Sequence, residues 1–573
     1  MRETVSLALV GSGGAGVMTI GAMLLDAAAR QGYYGLFSRL SGPQVRGGEA
    51  AALLRLGLAP IGGPPDHYDL LVAIDWGHVE RFAAEIPMQA GSLIVGDPKM
   101  GEAPEAMTRS GASRVAMPFA EIAGTIPGGR PNMVALGSVA AMLGLDVDIV
   151  KGVLAARIGS KGGAAVESST AAMLAGHALP LPEGDGLVLG AANASSVNRW
   201  IVSGNEASAL GALRGGVRFV AGYPITPATE VVEWLAPVLP KLGGTMVQAE
   251  DELSAIGMTL GASFGGTPSM TVTSGPGLSL MIETLGLATA AEIPAVVIDV
   301  MRGGPSTGIP TKSEQSDLDL AVHGAHGDAP RVVLAPLSVG DCLPTVQWAV
   351  ELAEALQVPV IVLSDQSIGQ TRSIIDAPPT RDSAPTRSVA SGLKPGGYKR
   401  YALTDSGVSP MAIPGEPHGQ WIGEGLTHSE AGTPSSAARD HIAQMEKRLR
   451  KLHAHEFGDY WADISGEGEW AVITWGSTAG AMTEALGRLG ADGSRFRHIA
   501  LRLLSPIPML RMETALQGVQ RILVVELNQG GQLARQLRGS DVTRIAVESH
   551  ARPGPLPLRP RELADVLTKW SAT

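Results

Sequence analysis

Cysteine is almost missing from this chain: 573 residues contain one, Cys342. No disulfide can form within the chain, which suits a cytoplasmic setting. A single thiolate also cannot hold an iron–sulfur cluster unaided. Positive charge is not in excess. The formal net charge is −11, so the chain has no basic footprint for nucleic acid. No apolar run is long enough to span a membrane. The N-terminal "MRETVSLALVGSGGAG" reads as a strand entering a glycine loop and not as a signal peptide. Aromatic residues are few, at 4%, while glycine and proline are plentiful. That mix suits α/β domains with tight strand-to-helix turns. The length far exceeds one core, so three or four domains are expected.

Apolar runs alternate with helical patterns from the start. Val5–Val10, Leu70–Ile74 and Ser92–Val95 read as strands of a first α/β domain. A polar, glycine-rich seam, "LPEGDGLVLGAANASS", separates it from a second series, "GVRFVAG", "SMTVTSGPG", "PAVVIDVMR" and "VPVIVLSD". Periodicity then stops from 375 to about 436, where Pro, Gly and Ser dominate and a long arm or linker is expected. A charged helix, "AARDHIAQMEKRLRKLHAHE", leads into a last small α/β block, "EWAVITWGSTAG" through "RILVVELNQGGQ".

Five stretches carry chemistry. "GSGGAG" fits G-x-G-x-x-G through Gly11, Gly13 and Gly16 and follows a strand, so its backbone N–H groups can face a phosphate at a helix N-terminus. A nicotinamide dinucleotide site also wants an acid about 20 residues on. "RQGYYGLFSRL" supplies none, leaving another phosphate ligand or a structural turn. In "SGPQVRGGEA", Arg46 is either an anion contact or part of a surface turn. "VAGYPITPATE" puts Pro224 and Pro227 around Ile225 and Thr226. Both prolines fix φ and disfavour helix just before themselves, so the loop is stiff. Thr226 then caps the next helix or points into a cleft. "QAEDELSAIG" opens a helix with Glu250, Asp251 and Glu252, which serve the helix dipole or include one partly buried proton partner. "VMRGGPSTGIPTKSEQSDL" ends a strand at Arg302, a residue type suited to a bidentate carboxylate, unless it is a solvated loop charge. One match fails. Gly184-Asp185-Gly186 has the form of the diphosphate-and-metal motif of thiamine enzymes, but it sits in the seam, and Asn205 comes too early to complete it.

Taken together, "GYPITPATE", "QAEDELSAIG", "TSGPGLSLMIETLGLA" and "RGGPSTGIPTKSEQSDL" resemble the α subunit of 2-oxoacid:ferredoxin oxidoreductases. "GSGGAGVMTIGAMLLDAAARQGYYG" and "GPQVRGGEA" resemble the γ domain of the same family, fused ahead of α. The resemblance covers nearly the whole chain and is closest to the 2-oxoglutarate type. It implies a multidomain α/β protein. A Rossmann-like γ domain contacting coenzyme A (1–183) is followed by a linker (184–196). A thiamine-diphosphate-binding, pyrimidine-type α/β domain (197–374), an arm and helix (375–465) and a transketolase-C-like α/β domain (466–573) complete it. The implied reaction interconverts 2-oxoglutarate, coenzyme A and oxidised ferredoxin with succinyl-CoA, carbon dioxide and reduced ferredoxin. A broader pyruvate or branched-chain enzyme and a non-catalytic nucleotide-binding scaffold are the alternatives.

Carried over position by position, the resemblance puts Thr226 at the reacting carbon, with Tyr223, Pro224 and Ile225 beside it in the cofactor loop. Glu252, favoured over Glu250 by alignment on the following glycine, meets N1′ of the thiamine pyrimidine. Arg302 takes the substrate carboxylate, with Thr307 and Thr311 nearby. Lys312 and Arg46 are candidates for a distal carboxylate. Gly11, Ser12, Gly13, Gly14 and Gly16, with the side chains of Ser12 and Thr19, meet coenzyme A phosphates. No metal ligand is expected in this chain. Mg2+, the diphosphate site and a [4Fe-4S] cluster fall to a β subunit, within a dimer of αβ heterodimers that passes electrons to ferredoxin.

Overall fold

The computed structural model describes residues 1–41, 48–77, 79–182, 186–192, 199–309, 312–379 and 386–572. The chain forms two compact units. One comprises Met1–Val202, Gln370–Pro379 and Leu558–Thr573; the other comprises Ser203–Gly369 and Thr380–Pro557.

The first unit is built on a mixed eight-stranded sheet. Its strands are β1 (Thr4–Ser12), β2 (Tyr34–Ser41), β3 (Glu49–Gly57), β4 (Leu70–Ala73), β5 (Leu93–Gly96), β6 (Ser113–Ala116), β7 (Arg199–Ser203) and Arg372–Asp376. Their order is β6-β5-β4-β1-β3-β2, then Arg372–Asp376, then β7. β1, β4, β5 and β6 run parallel, whereas β3 lies antiparallel to β1 and β2. β1 is buried along almost its whole length, as a continuous apolar run in a doubly covered strand should be.

The second unit holds two sheets. The larger contains β8 (Phe219–Gly222), β9 (Thr245–Gln248), β10 (Ser269–Thr273), β11 (Ala295–Met301), β12 (Val332–Leu334) and β13 (Pro359–Asp365). They are parallel in the order β12-β13-β11-β10-β8-β9, and the short strand Leu503–Ser505 closes the β12 edge antiparallel. Every residue of β10, β11 and β13 is buried. The smaller sheet has five strands within residues 462–551. One hydrophobic cluster runs through both sheets.

The Pro- and Gly-rich arm has little regular structure, yet it is packed against this unit. Arg400 is fully buried and donates to the carbonyls of Ala291 and Glu292, at 3.3 and 2.7 Å. Trp421 stacks obliquely on Phe264 with ring centres 5.0 Å apart. No helix among the described residues is long and apolar enough to cross a membrane.

Candidate active site

From β8 the chain moves outward to the edge strand β9, then crosses back to β10 and on to β11. The order therefore reverses between β8 and β10. Crevices for ligands form outside the carboxyl ends of strands at such a point. The loops that leave these four strands carry the residues singled out in the second unit.

After β8, the loop keeps Tyr223, Pro224 and Thr226 exposed and Ile225 half-buried. The helix starts only at Thr229, with Ala228 at the cap position and no side-chain cap. Thr226 is thus not the helix cap, one of its two expected roles. Its carbonyl instead accepts a hydrogen bond from Arg302 Nη1 at 2.8 Å. From within the unit, buried Asn205 donates Nδ2 to the Pro227 carbonyl at 3.0 Å. The loop is fixed from both sides, and Thr226 and Arg302 come together from two strands.

The three acids after β9 separate cleanly. Glu250 is exposed. Asp251 caps the helix Glu252–Phe264, accepting from the Ser254 backbone N–H at 2.7 Å. That bond holds the Asp251 carboxyl below its usual pKa. Glu252 begins the helix, is only 7% exposed, and has no hydrogen bond or ion pair among the described residues. It lies against the first turn of the helix Gly275–Ala291 that follows β10: a Cβ on Gly277 would sit 2.8 Å from Glu252 Oε1. Any larger residue at 277 would push this carboxylate out of place.

At the end of β11, Arg302 is half-buried and its Nε has no partner. The following loop folds back on itself, with the Gly303 N–H donating to the Lys312 carbonyl at 2.9 Å and the Ile309 N–H to the Gly303 carbonyl at 3.0 Å. Thr307 is exposed on that loop and Lys312 is half-buried. Thr311 and Arg46 lie outside the described residues.

Sequence reading missed other polar groups here. Ser274 Oγ is fully buried without a hydrogen bond, at the uncapped start of the helix Gly275–Ala291. Both oxygens of Asp299, in β11, and Asp317 Oδ2 are also without donors. The Asp317 carboxylate packs on Gly275, where a Cβ would lie 2.6 Å from Oδ2. Burial, then the Asp317 carboxyl, raises the Asp299 pKa; burial also raises that of Asp317. A signal for Asp299 was present, since it is a lone acid in the apolar run "PAVVIDVMR". Native structures leave few buried polar groups unpaired, and such groups mark strain, function or a missing ligand. Here Glu252, Ser274, Arg302 and the two aspartates gather at one sheet edge. The unpaired Glu252 carboxylate and the Arg302 guanidinium, which keeps its Nε without a partner, fit a ligand that offers a protonatable nitrogen to one and a carboxylate to the other, as the expected thiamine group and a 2-oxoacid would.

The first unit carries the glycine loop. Gly11 is buried at the end of β1, while Gly13 and Gly14 are exposed. Gly16, at φ 87°, precedes the helix Val17–Gln31, which has no side-chain cap and no acid in its first turn. A Cβ at Gly16 would fall 2.1 Å from the Asn132 amide. Thr19, in the first helical turn, is half-buried. Within the loop the Gly13 N–H donates to the Gly48 carbonyl at 2.5 Å and the Ala15 N–H to the Ser12 carbonyl at 2.9 Å, so the exposed Gly14 amide is the one that suits an anion. The Ser12 hydroxyl, however, donates to Asp75 at 2.7 Å, and the Ser12 N–H also points to that carboxylate. Ser12 therefore anchors the loop to the end of β4. Asp75 and Asn132 were not foreseen.

Residues 210–447 match the family described as pyruvate flavodoxin/ferredoxin oxidoreductase, thiamine diphosphate-binding. Residues 6–179 match pyruvate ferredoxin/flavodoxin oxidoreductase. A 2-oxoglutarate synthase subunit KorA from Methanothermobacter marburgensis is 37% identical over 334 residues, which is 58% of this chain and 88% of the relative. The alpha subunit of 2-oxoacid:ferredoxin oxidoreductase 2 from Aeropyrum pernix is 32% identical over 486 residues, 80% of this chain and 73% of the relative. Among solved structures, 2-oxoglutarate:ferredoxin oxidoreductase from Magnetococcus marinus, with 2-oxoglutarate, coenzyme A and succinyl-CoA bound, superposes with a TM-score of 0.92 at 35% identity. That match covers 99% of this chain and 100% of the other.

Proposed function

This chain belongs to the 2-oxoacid:ferredoxin oxidoreductase family, and from that membership we propose that it is the fused γ–α subunit of a 2-oxoglutarate:ferredoxin oxidoreductase. The reaction takes 2-oxoglutarate, coenzyme A and two oxidised ferredoxins to succinyl-CoA, carbon dioxide, two reduced ferredoxins and a proton, or runs in reverse. The observation that carries the choice of substrate is the full-length likeness to a structure with 2-oxoglutarate and succinyl-CoA bound. The longest of the curated alignments reported above, to a 2-oxoacid enzyme, favours broader specificity as the second reading.

Thiamine diphosphate, when bound, supplies the carbanion that adds to the 2-oxo carbon. Glu252 holds a proton at the pyrimidine nitrogen from its buried place on Gly277. The stiff Tyr223–Pro227 loop walls the cleft, and Thr226 directs its hydroxyl toward the reacting carbon. Arg302, tied to that loop through the Thr226 carbonyl, presents its remaining N–H groups to the substrate carboxylate. Thr307 lines the approach; Thr311, Lys312 and Arg46 are assigned to the substrate side. In the first unit, the Gly14 amide and the start of the helix after Gly16, with Thr19, meet coenzyme A phosphates, while Gly13, through its bond to the Gly48 carbonyl, and Ser12 hold the loop.

The single cysteine and the lack of a complete diphosphate motif support a β subunit that brings Mg2+, the diphosphate site and a [4Fe-4S] cluster. We place the assembly in the cytoplasm as a dimer of αβ heterodimers. The test is a substrate panel on the co-purified complex with coenzyme A and a low-potential acceptor. Turnover should be highest with 2-oxoglutarate, and the isolated chain should be colourless and inactive. An iron–sulfur spectrum from this polypeptide alone overturns the division of labour. Preference for pyruvate overturns the substrate.

A further inference from the structure

In the second unit, away from the catalytic loops, a cavity of about 520 Å3 opens between the end of the helix Leu318–His323 with its following loop and the helix Ala438–His453. This size lies within the range of small-molecule pockets. Met445 and Leu449 give it an apolar wall, and His323, Asp328 and Glu446 are exposed at its lining. Arg331 also lines it and is only 2% exposed. Its Nε donates to the Ala329 carbonyl at 3.3 Å, and its Nη1 is buried with no partner. No ion pair offsets it among the described residues, and burial is the sole influence on its pKa, which falls to about 10. An arginine in that condition remains charged at neutral pH. A buried charge with no counter-ion is costly and normally finds a partner.

We propose that this cavity binds a single carboxylate carried on a short apolar body, with the Arg331 guanidinium as its counter-ion. A planar carboxylate matches the guanidinium edge. Asp328 and Glu446 repel a polyanion such as a phosphate ester, and Met445 and Leu449 accommodate the aliphatic part. The carboxylate belongs either to a free small acid or to an Asp or Glu side chain of the second subunit.

The test uses valerate as probe, with uncharged valeramide as control, in calorimetric titrations of the full chain and of its complex with the second subunit. Valerate should bind the free chain, and valeramide should bind far more weakly. Arg331→Met removes an uncompensated charge and so should fold; it should weaken valerate binding by roughly tenfold or more, the loss typical of one charge-assisted hydrogen bond. Met445→Glu supplies a carboxylate from the wall and should also displace valerate while Arg331 stays intact. A complex that still binds valerate identifies a free acid as the natural ligand. A complex that does not, together with weaker subunit association for Arg331→Met, identifies a side chain of the second subunit. Failure of the free chain to bind valerate, or equal binding by Arg331→Met, overturns the site. So does a closed cavity in the complex with unchanged association for Arg331→Met.

Discussion

Two buried glutamates in the second unit meet opposite fates. Glu292 ends the helix Gly275–Ala291 with no exposed surface, and Lys447 and Lys451, both buried, close on its carboxylate; the Lys447 contact is 2.6 Å. Glu252 starts the preceding helix almost as deeply buried, and no cation or donor among the described residues answers it. Burial alone would raise the Glu292 pKa, but Lys451, Lys447 and Arg400 outweigh it and hold it at about 2. The chain can therefore pair a buried acid when the purpose is to fasten an element, here the arm and its helix. Leaving Glu252 unpaired in the same fold keeps a proton site open for a ligand.

Breaking the paired glutamate should give the largest effect. Glu292→Gln leaves Lys447 and Lys451 buried without a counter-charge, and losing one partner of a buried pair costs about 3–5 kcal/mol. The denaturation midpoint should drop accordingly. The acid limb sharpens the point. Glu292 binds its proton more weakly folded than unfolded, so its contribution is complete above about pH 4.5 and is lost as the pH falls toward 2. Lys451 is pushed down to about 7 by burial, against the pull of Glu292. The folded chain thus sheds that proton before the unfolded chain does, and the cost of burying it eases as pH rises from about 7. Glu292→Gln should flatten the acid limb. An unchanged limb means that the triad contributes little.

Glu252→Gln should show the reverse pattern. It removes no partner, so the denaturation midpoint should hardly move. Turnover should fall by at least the roughly 10²-fold typical of lost acid–base catalysis, while Glu250→Gln stays near normal. If Glu250→Gln is the dead variant, the wrong carboxylate has been chosen.

Arg302→Lys keeps the charge and loses the fork. One charge-assisted bond lost at a half-buried site is worth about 1.5–3 kcal/mol, roughly ten- to a hundredfold in kcat/KM. Every 2-oxoacid has this carboxylate, so pyruvate, 2-oxobutyrate and 2-oxoglutarate should suffer alike. Lys312→Met should act on 2-oxoglutarate alone. A loss confined to one substrate in Arg302→Lys would falsify its assignment to the common carboxylate.

The contrast between the glutamates was only half legible in the sequence. β8, β10, β11 and β13 could be read from short β-branched runs, and the loops after them from their proline and glycine, because local sterics set both. Glu252 stood out only by alignment within "QAEDELSAIG". Burial of one acid among three depends on which face of a helix meets Gly277, and local pattern does not show that contact. Glu292 drew no attention, since its lysines lie 155 or more positions away. A still larger separation hid the strand Arg372–Asp376, which pairs with β2 across more than 330 residues. Composition suggested an arm from 375 onward but could not show Arg400 buried against the helix end. Thr226 left two roles open because Pro227 suits a first helical turn; the fold resolves the backbone by starting the helix two residues later.

The smallest expected effect concerns the residue that sets Glu252 in place. Asp251 is exposed and holds the Ser254 N–H, fixing where the helix begins and so which of the neighbouring acids turns inward. Asn is as good a helix cap as Asp, and Ala is a poor one. Asp251→Asn should therefore leave both the denaturation midpoint and turnover close to normal. Asp251→Ala should lower the midpoint slightly and lower turnover slightly with it, because a frayed first turn lets Glu252 leave Gly277. The Asp251 pKa is depressed by the cap bond, so the capping advantage of Asp over Ala should be complete above about pH 3.8 and fade below it. Turnover measured beside the midpoint decides the matter. If Asp251→Ala costs stability but no turnover, the Glu252 carboxylate is positioned by its packing on Gly277 alone. If Asp251→Asn is as slow as Glu252→Gln, the charge at 251 matters to the reaction, and Glu252 is not the lone acid serving it.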